Sequence, residues 1–134
     1  MHYPWERVAD GVHRCRLPFL DVTVGVVQGS DRVLLIDCGT TLLEASRVSD
    51  DIAELTGGAV TDVVMTHHHF DHILGSAGFP RAVSYAAPAV AAALTTGIDE
   101  IRAHALEYGA DADAVERAAA GVRAPDHQVS TVDV

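Results

Sequence analysis

The segment His67-His68-His69-Phe70-Asp71-His72 places four of the chain's eight histidines and one aspartate within six positions, directly after an apolar run. Imidazole nitrogen and carboxylate oxygen together suit zinc, iron or manganese, and so dense a group of them points to a hydrolytic metal site. On an extended backbone from Thr66 to Asp71 side chains alternate, so His67, His69 and Asp71 share one side while His68 and Phe70 face the other. His67 and His69 are then placed to bind one metal. If the chain turns helical at Asp71, Asp71 and His72 swing toward a second metal beside the first. Two metals about 3.5–4 Å apart can share a hydroxide formed at neutral pH. Gly75, three residues past His72, relieves crowding next to such a site. A solvated loop without metal is the bland alternative, adequate for one surface histidine but not for four at this spacing beside a strand end.

A metal site needs elements that hold it. Residues 12–19, 22–27 and 32–36 read as three strands of an antiparallel meander, with Gly29-Ser30-Asp31 as turn chemistry before the third. That third run is continuously apolar, as expected of a strand buried on both faces. Asp37-Cys38-Gly39-Thr40 closes it with a turn. Leu42, Ala45, Val48, Ile52 and Leu55 then recur at helical spacing until Gly57-Gly58. A short strand over residues 62–66 follows, so a β-helix-β unit delivers the histidine cluster to the carboxyl end of a strand, where ligand sites in α/β sheets lie. Asp37, at the neighbouring strand end, is the candidate for orienting the ligands through hydrogen bonds. Residues 81–86 read as another strand, and 88–94, 98–108 and 112–120 as Ala-rich helices. Asp113 and Glu116 form a possible capping box for the last helix, which Gly121 ends. Residues 128–134 turn β-like again.

Bulk properties narrow the function. A chain of 134 residues fits one domain with a real core, and 49% hydrophobic content with a mean hydropathy of +0.17 argues against disorder. Nine basic against nineteen acidic residues give a net charge of −10, which opposes binding to a phosphate backbone and argues against nucleic-acid partners. Cys15 and Cys38 form no CxxC pair and read as reduced core thiols. Residues 1–10 hold no apolar leader, and no run approaches the ~20 apolar residues of a membrane span. The expected location is therefore cytoplasmic, without membrane association.

Thr66-His67-His68-His69-Phe70-Asp71-His72-Ile73-Leu74-Gly75 resembles the HxHxDH signature of the metallo-β-lactamase-fold hydrolases. Leu35-Ile36-Asp37-Cys38-Gly39 followed by a helix is similar to that family's strand-end Asp and Gly. The resemblance implies an α/β (α+β) fold: the N-terminal half of an αβ/βα sandwich, a mixed sheet with helices on one face, forming a single incomplete domain over residues 1–134. It implies Zn2+ as cofactor, two ions in a complete site, with iron or manganese as alternatives. His67 and His69 would serve the first metal and Asp71 and His72 the second. Asp71 would also be catalytic, orienting the attacking hydroxide. The implied reaction is hydrolysis of a small-molecule ester, thioester, lactam or phosphoester.

The resemblance also implies what is missing. The family's second half supplies another histidine, a bridging aspartate and a final histidine, the third histidine in a Gly-His-Thr-like context that this chain lacks. His104 and His127 sit in helix-like and loop-like settings and read as surface residues, as do His2 and His13, the last alternatively as a strand residue. The site is expected to be incomplete in this chain. It reads as a fragment or as a half-protein completed by a partner, such as a second copy, with one sheet face left for the missing half or the homodimer partner to cover. A non-catalytic metal-binding or interaction module, or an inactive truncated paralogue, is the alternative function. Ile73-Leu74-Gly75-Ser76 departs from the Gly-Gly that often follows the motif in the glutathione-thioesterase branch. Residues 88–121 fall where family members often build the pocket wall.

Overall fold

The computed structural model describes residues 1–130. Strands β1 (Glu6–Ala9), β2 (Val12–Leu17), β3 (Val22–Gln28) and β4 (Val33–Ile36) are joined antiparallel; β5 (Asp62–Met65), β6 (Val83–Ala86) and β7 (His127–Gln128) continue the same sheet in parallel from β4. Strand order in the sheet is the order in the chain. Helix α1 (Leu42–Thr56) crosses from β4 to β5, and the short α2 (Phe70–Ile73) with a 3-10 turn (Leu74–Gly78) leads to β6. Helices α3 (Pro88–Leu94), α4 (Ile98–Glu107) and α5 (Ala112–Gly121) connect β6 to β7. The expected mixed α/β sheet is therefore present, with one strand more at its start. All four residues of β1 are exposed, so no hydrophobic alternation announced it, and backbone pairing with β2 holds it at the edge.

Helix α1 forms for reasons written in its residues. Thr41 accepts from the Glu44 amide while the Glu44 carboxylate accepts from the Thr41 amide, a capping box, and Gly57 ends the helix in the left-handed region at φ 76°. Its buried stripe of Ala45, Val48 and Ile52 joins Val24, Val26, Leu35, Val63 and Met65 of the sheet in one core. Fully burying a Val or Ile side chain contributes about 1.5–3 kcal/mol. For α5 the expected Asp113–Glu116 box is corrected: Asp111 is the N-cap and accepts from the Ala114 amide at 3.0 Å, which places Asp113 in the first turn. Of the β-like residues 128–134, Gln128 pairs with Ala86 in β7, and 131–134 lie outside the described residues.

Among the described residues, helices cover one face of the sheet only. Val33 and Leu35 of β4 are buried beneath them, whereas Leu34 and Ile36, on the other face, are only half-buried. The expectation that this strand is buried on both faces holds for one face alone.

The first residues of the chain are tied down by Asp51 on α1, which is 1% exposed. Its carboxylate accepts from the His2 amide at 2.7 Å, the Tyr3 amide at 2.9 Å and the Trp5 indole N–H at 2.8 Å. Burial pushes the Asp51 carboxyl up, but those three donors and the His2 charge outweigh it and hold it below the usual carboxylate value of 3.8. A carboxyl depressed in the folded state stabilises above its unfolded pKa, and that stability is lost as pH falls through the folded value. Asp51→Asn is expected to cost about 2–4 kcal/mol near neutrality. It should also flatten the fall of thermal stability below about pH 4, readable from unfolding scans across the acid range. An unchanged acid limb in the variant contradicts this account.

Candidate metal centre

Strand β5 ends at Met65, the chain bends at His67 and His68, and α2 begins at Phe70 with His69 as its N-cap at φ −68°, ψ 139°. Helix therefore starts one residue before Asp71, and Asp71 lies in the first turn of α2 and not on an extended face shared with His67 and His69. The turn sets the expected residues side by side, but among the described residues only His67 and His72 of the four join a metal-sized group of donor atoms, with Asp37 as its third member, and His69 and Asp71 stay outside it. The His67 and His72 ring centroids are 4.1 Å apart, those of His67 and His69 4.6 Å, and Asp71 Oδ2 is 3.8 Å from His72 Nε2. His67 is thus nearer to His72 than to His69, its expected partner. His68 points to solvent, and Phe70 is buried, its ring 5.9 Å from Tyr108.

Asp37 orders this group from β4. It adopts a left-handed backbone at φ 64°, which Asp tolerates better than most residues, and its amide donates to Val64 O at 2.9 Å. Asp37 Oδ1 accepts from the Thr66 amide at 2.8 Å; Oδ2 accepts from the Thr66 hydroxyl at 2.7 Å and lies 2.7 Å from His72 Nδ1. Because the Thr66 hydroxyl donates to Asp37, it is left to accept from His67 Nδ1, 2.9 Å away. Both imidazoles then carry their proton on Nδ1 and present an unprotonated Nε2. Thr66 was not singled out from sequence; a hydroxyl residue directly before the first histidine was the only signal.

Donor atoms of Asp37, His67 and His72 all lie within 4.8 Å of one another, a spacing that admits a metal ion. Proximity alone makes Asp37 a third ligand. Its hydrogen bonds argue otherwise, since both oxygens are already occupied, and orienting the two imidazoles is the better use of that carboxylate. Burial first, then the neighbouring His72 and His69 rings, holds the His67 imidazole below its ordinary value against the opposing pull of Asp37 and Asp71. A neutral imidazole is the form that binds metal. The donor set therefore fits zinc.

Backbone contacts dock α2 onto the β4 strand end. The Cys38 amide donates to His72 O at 3.0 Å and the Gly75 amide to Gly39 O at 2.9 Å. A Cβ at Gly75 would stand 2.0 Å from Cys38 O, so the crowding inferred from sequence is real and only glycine fits. Cys15 and Cys38 are both free and buried. Burial pushes the Cys15 thiol up to about 12 and the Cys38 thiol higher still, so neither is a thiolate donor.

Beside the cluster opens a cleft of about 540 Å³, with His68, His69, Phe70 and Asp71 on one wall and His104, Glu107 and Tyr108 of the α4 end on the other. His104 is exposed, as read from sequence, but it faces this cleft. The remaining histidines take no part: His2 pairs with Asp50, His13 sits in β2, and His127 stacks on Tyr85 at 5.1 Å.

The sequence profile of the metallo-beta-lactamase superfamily matches residues 17–133. The chain belongs to that superfamily. Solved metallo-beta-lactamases share its fold: the enzyme from Hirschia baltica superposes with a TM-score of 0.62 at 13% identity over 98% of this chain and 54% of its own. FIM-1 from Pseudomonas aeruginosa, in its mono-zinc form, gives 0.58 at 16% identity, over 98% and 52%. MIM-2 gives 0.60 at 31% identity, over 70% of this chain and 36% of its own. The chain spans about half the length of the first two of these structures. No curated protein sequence matches it. Among the described residues no helix is long and apolar enough to cross a membrane.

Proposed function

We propose that the chain carries the first half of a zinc-dependent hydrolase site, with His67, His69, Asp71 and His72 as its ligands and Asp37 as their orienting residue. The observation that carries this reading is the hydrogen-bonded line from His67 through Thr66 to Asp37 and back to His72, which engages both Nδ1 atoms and leaves both Nε2 atoms free for a metal. When bound, zinc supplies Lewis acidity and makes water acidic enough to attack at neutral pH. His67 and His72 hold their tautomers through Nδ1, and Asp71 is placed to accept a proton from an attacking water. His69 closes the group from the N-cap of α2. The substrate is a small ester, thioester, lactam or phosphoester seated in the 540 Å³ cleft against His104, Glu107 and Tyr108. A solved neighbour in a mono-zinc form supports zinc as the metal and one ion as a workable occupancy; a second ion belongs to the complete dinuclear site. Iron or manganese would suit the same donors. The two unpaired buried thiols and the net charge of −10 support a cytoplasmic protein without nucleic-acid partners.

Zinc content after dialysis tests the ligands. His69→Ala and Asp71→Ala are each expected to lower zinc affinity at least about tenfold. Unchanged metal content in both variants sinks the assignment. A second reading, a metal-binding module without catalysis, draws on the chain's spanning about half of its structural neighbours. Zinc retained with no turnover of a generic ester, thioester or lactam decides for that module.

A further inference from the structure

The cleft beside the histidine cluster has a second wall, and its chemistry differs from that of the first. Glu107 and Tyr108 stand there at the end of α4, joined by Leu20 from the connection between β2 and β3. Tyr108 is 63% exposed; its ring lies 5.9 Å from the buried Phe70 ring and is otherwise open to the cleft. Leu20, 42% exposed, adds apolar surface to the same cavity.

Three features make this wall attractive to a cation. Glu107 is exposed and has no ion-pair partner among the described residues, since Arg102, the one guanidinium of α4, is engaged by Asp99 and Glu116. Helix α4 ends here with Tyr108 as its C-cap, so the negative end of the helix dipole lies at the wall. The open Tyr108 ring presents a π face, which attracts positive charge. The rest of the lining adds a second carboxylate, Asp71, and no lysine or arginine.

We infer that the α4 wall is a subsite for an alkylated ammonium group, with Glu107 and Tyr108 as its specificity-determining residues. Alkyl groups spread the charge and lower the cost of losing water, so they pack on Tyr108 and Leu20 while Glu107 offsets the charge. A primary ammonium is more strongly hydrated, and one exposed carboxylate repays little of that loss. The inference rests on the hydrolase reading and narrows it to an ester or thioester bearing a quaternary ammonium arm. A phosphoester would set its own negative charge against Glu107 and Asp71.

The test compares acetylcholine with neohexyl acetate, which has the same shape with carbon in place of the charged nitrogen. Each is titrated into the intact chain without added metal, and the ring resonances of Tyr108 report binding. Acetylcholine is expected to bind about tenfold more tightly at low salt, a ratio falling to about threefold in about 0.5 M salt. Glu107→Gln and Tyr108→Leu should each cut the low-salt ratio to about threefold, the latter without loosening neohexyl acetate, because leucine keeps the apolar surface; the Phe70 ring resonances report binding in that variant. Asp31→Asn removes one charge on the turn before β4 and should leave the ratio unchanged. If the ratio holds but the zinc-loaded chain hydrolyses neither ester, the hydrolase reading falls and the subsite stands. Equal binding of the two esters, or binding of neither, overturns the inference. So does a ratio that survives both Glu107→Gln and Tyr108→Leu, or one lost equally in Asp31→Asn.

Discussion

Asp37→Asn is expected to weaken zinc binding about 10–100-fold while leaving the fold in place. Asparagine keeps the volume of aspartate and tolerates the left-handed backbone at φ 64°, so the turn after β4 survives. What changes is the donor count. The aspartate accepts from the Thr66 amide on one oxygen, and on the other from the Thr66 hydroxyl and His72 Nδ1. An amide group offers one acceptor in place of two. If its oxygen stays on the Thr66 amide, its NH2 faces His72 Nδ1 and drives the proton to Nε2, removing the lone pair aimed at the metal. If the amide flips, the Thr66 N–H meets a donor instead. Competition with a chromogenic chelator measures the affinity, and the nitrogen resonances of His72 report its tautomer. Wild-type affinity with the tautomer unchanged would show that Asp37 does not orient the histidines.

Gly75→Ala is expected to cost about 3–5 kcal/mol, because the added methyl meets backbone that cannot turn aside. Its Cβ would stand 2.0 Å from Cys38 O, 2.7 Å from Cys38 C and 3.0 Å from Gly39 O. Domains of this size are stable by only about 5–15 kcal/mol, so the melting temperature should fall by roughly 10–20 °C. Any surviving fold must part the Gly75 turn from the β4 strand end, breaking the bonds from the Gly75 amide to Gly39 O and from the Cys38 amide to His72 O. Zinc affinity should then fall together with stability. Gly58→Ala is the matched comparison: its Cβ finds only Val33 Cγ2 at 3.8 Å, and the cost should stay within about 1 kcal/mol. A Gly75→Ala protein that melts with wild type would disprove the close approach.

Much of this was legible in the residues because the signals are local. The helical stripe of α1 from Leu42 to Leu55 shows in its spacing, and the cluster shows in its composition. Even the Thr41–Glu44 capping box stood in the sequence, though it was not read there. At α5 two acidic residues competed for the cap, and Asp111 prevailed over Asp113 because the backbone left the helix before it. Strand β1 gave no signal, since an exposed edge strand is held by the backbone of its neighbour and needs no side-chain pattern.

By itself the sequence marked the side chains that could take a metal, histidine and aspartate at positions 67, 69, 71 and 72, because imidazole and carboxylate donors at that density suit one. It also marked Asp37 and Gly75 as neighbours of that group. Only the tertiary structure decided how the group is ordered. Parallel pairing of β4 with β5 sets Asp37 against Thr66, twenty-nine positions further along the chain, and the docking of α2 on the β4 end brings His72 to the same carboxylate. Those contacts are long-range, and no periodicity encodes them. Tertiary structure likewise decided that β4, apolar throughout, is covered on one face alone among the described residues, because their long helices fall on one side of the sheet.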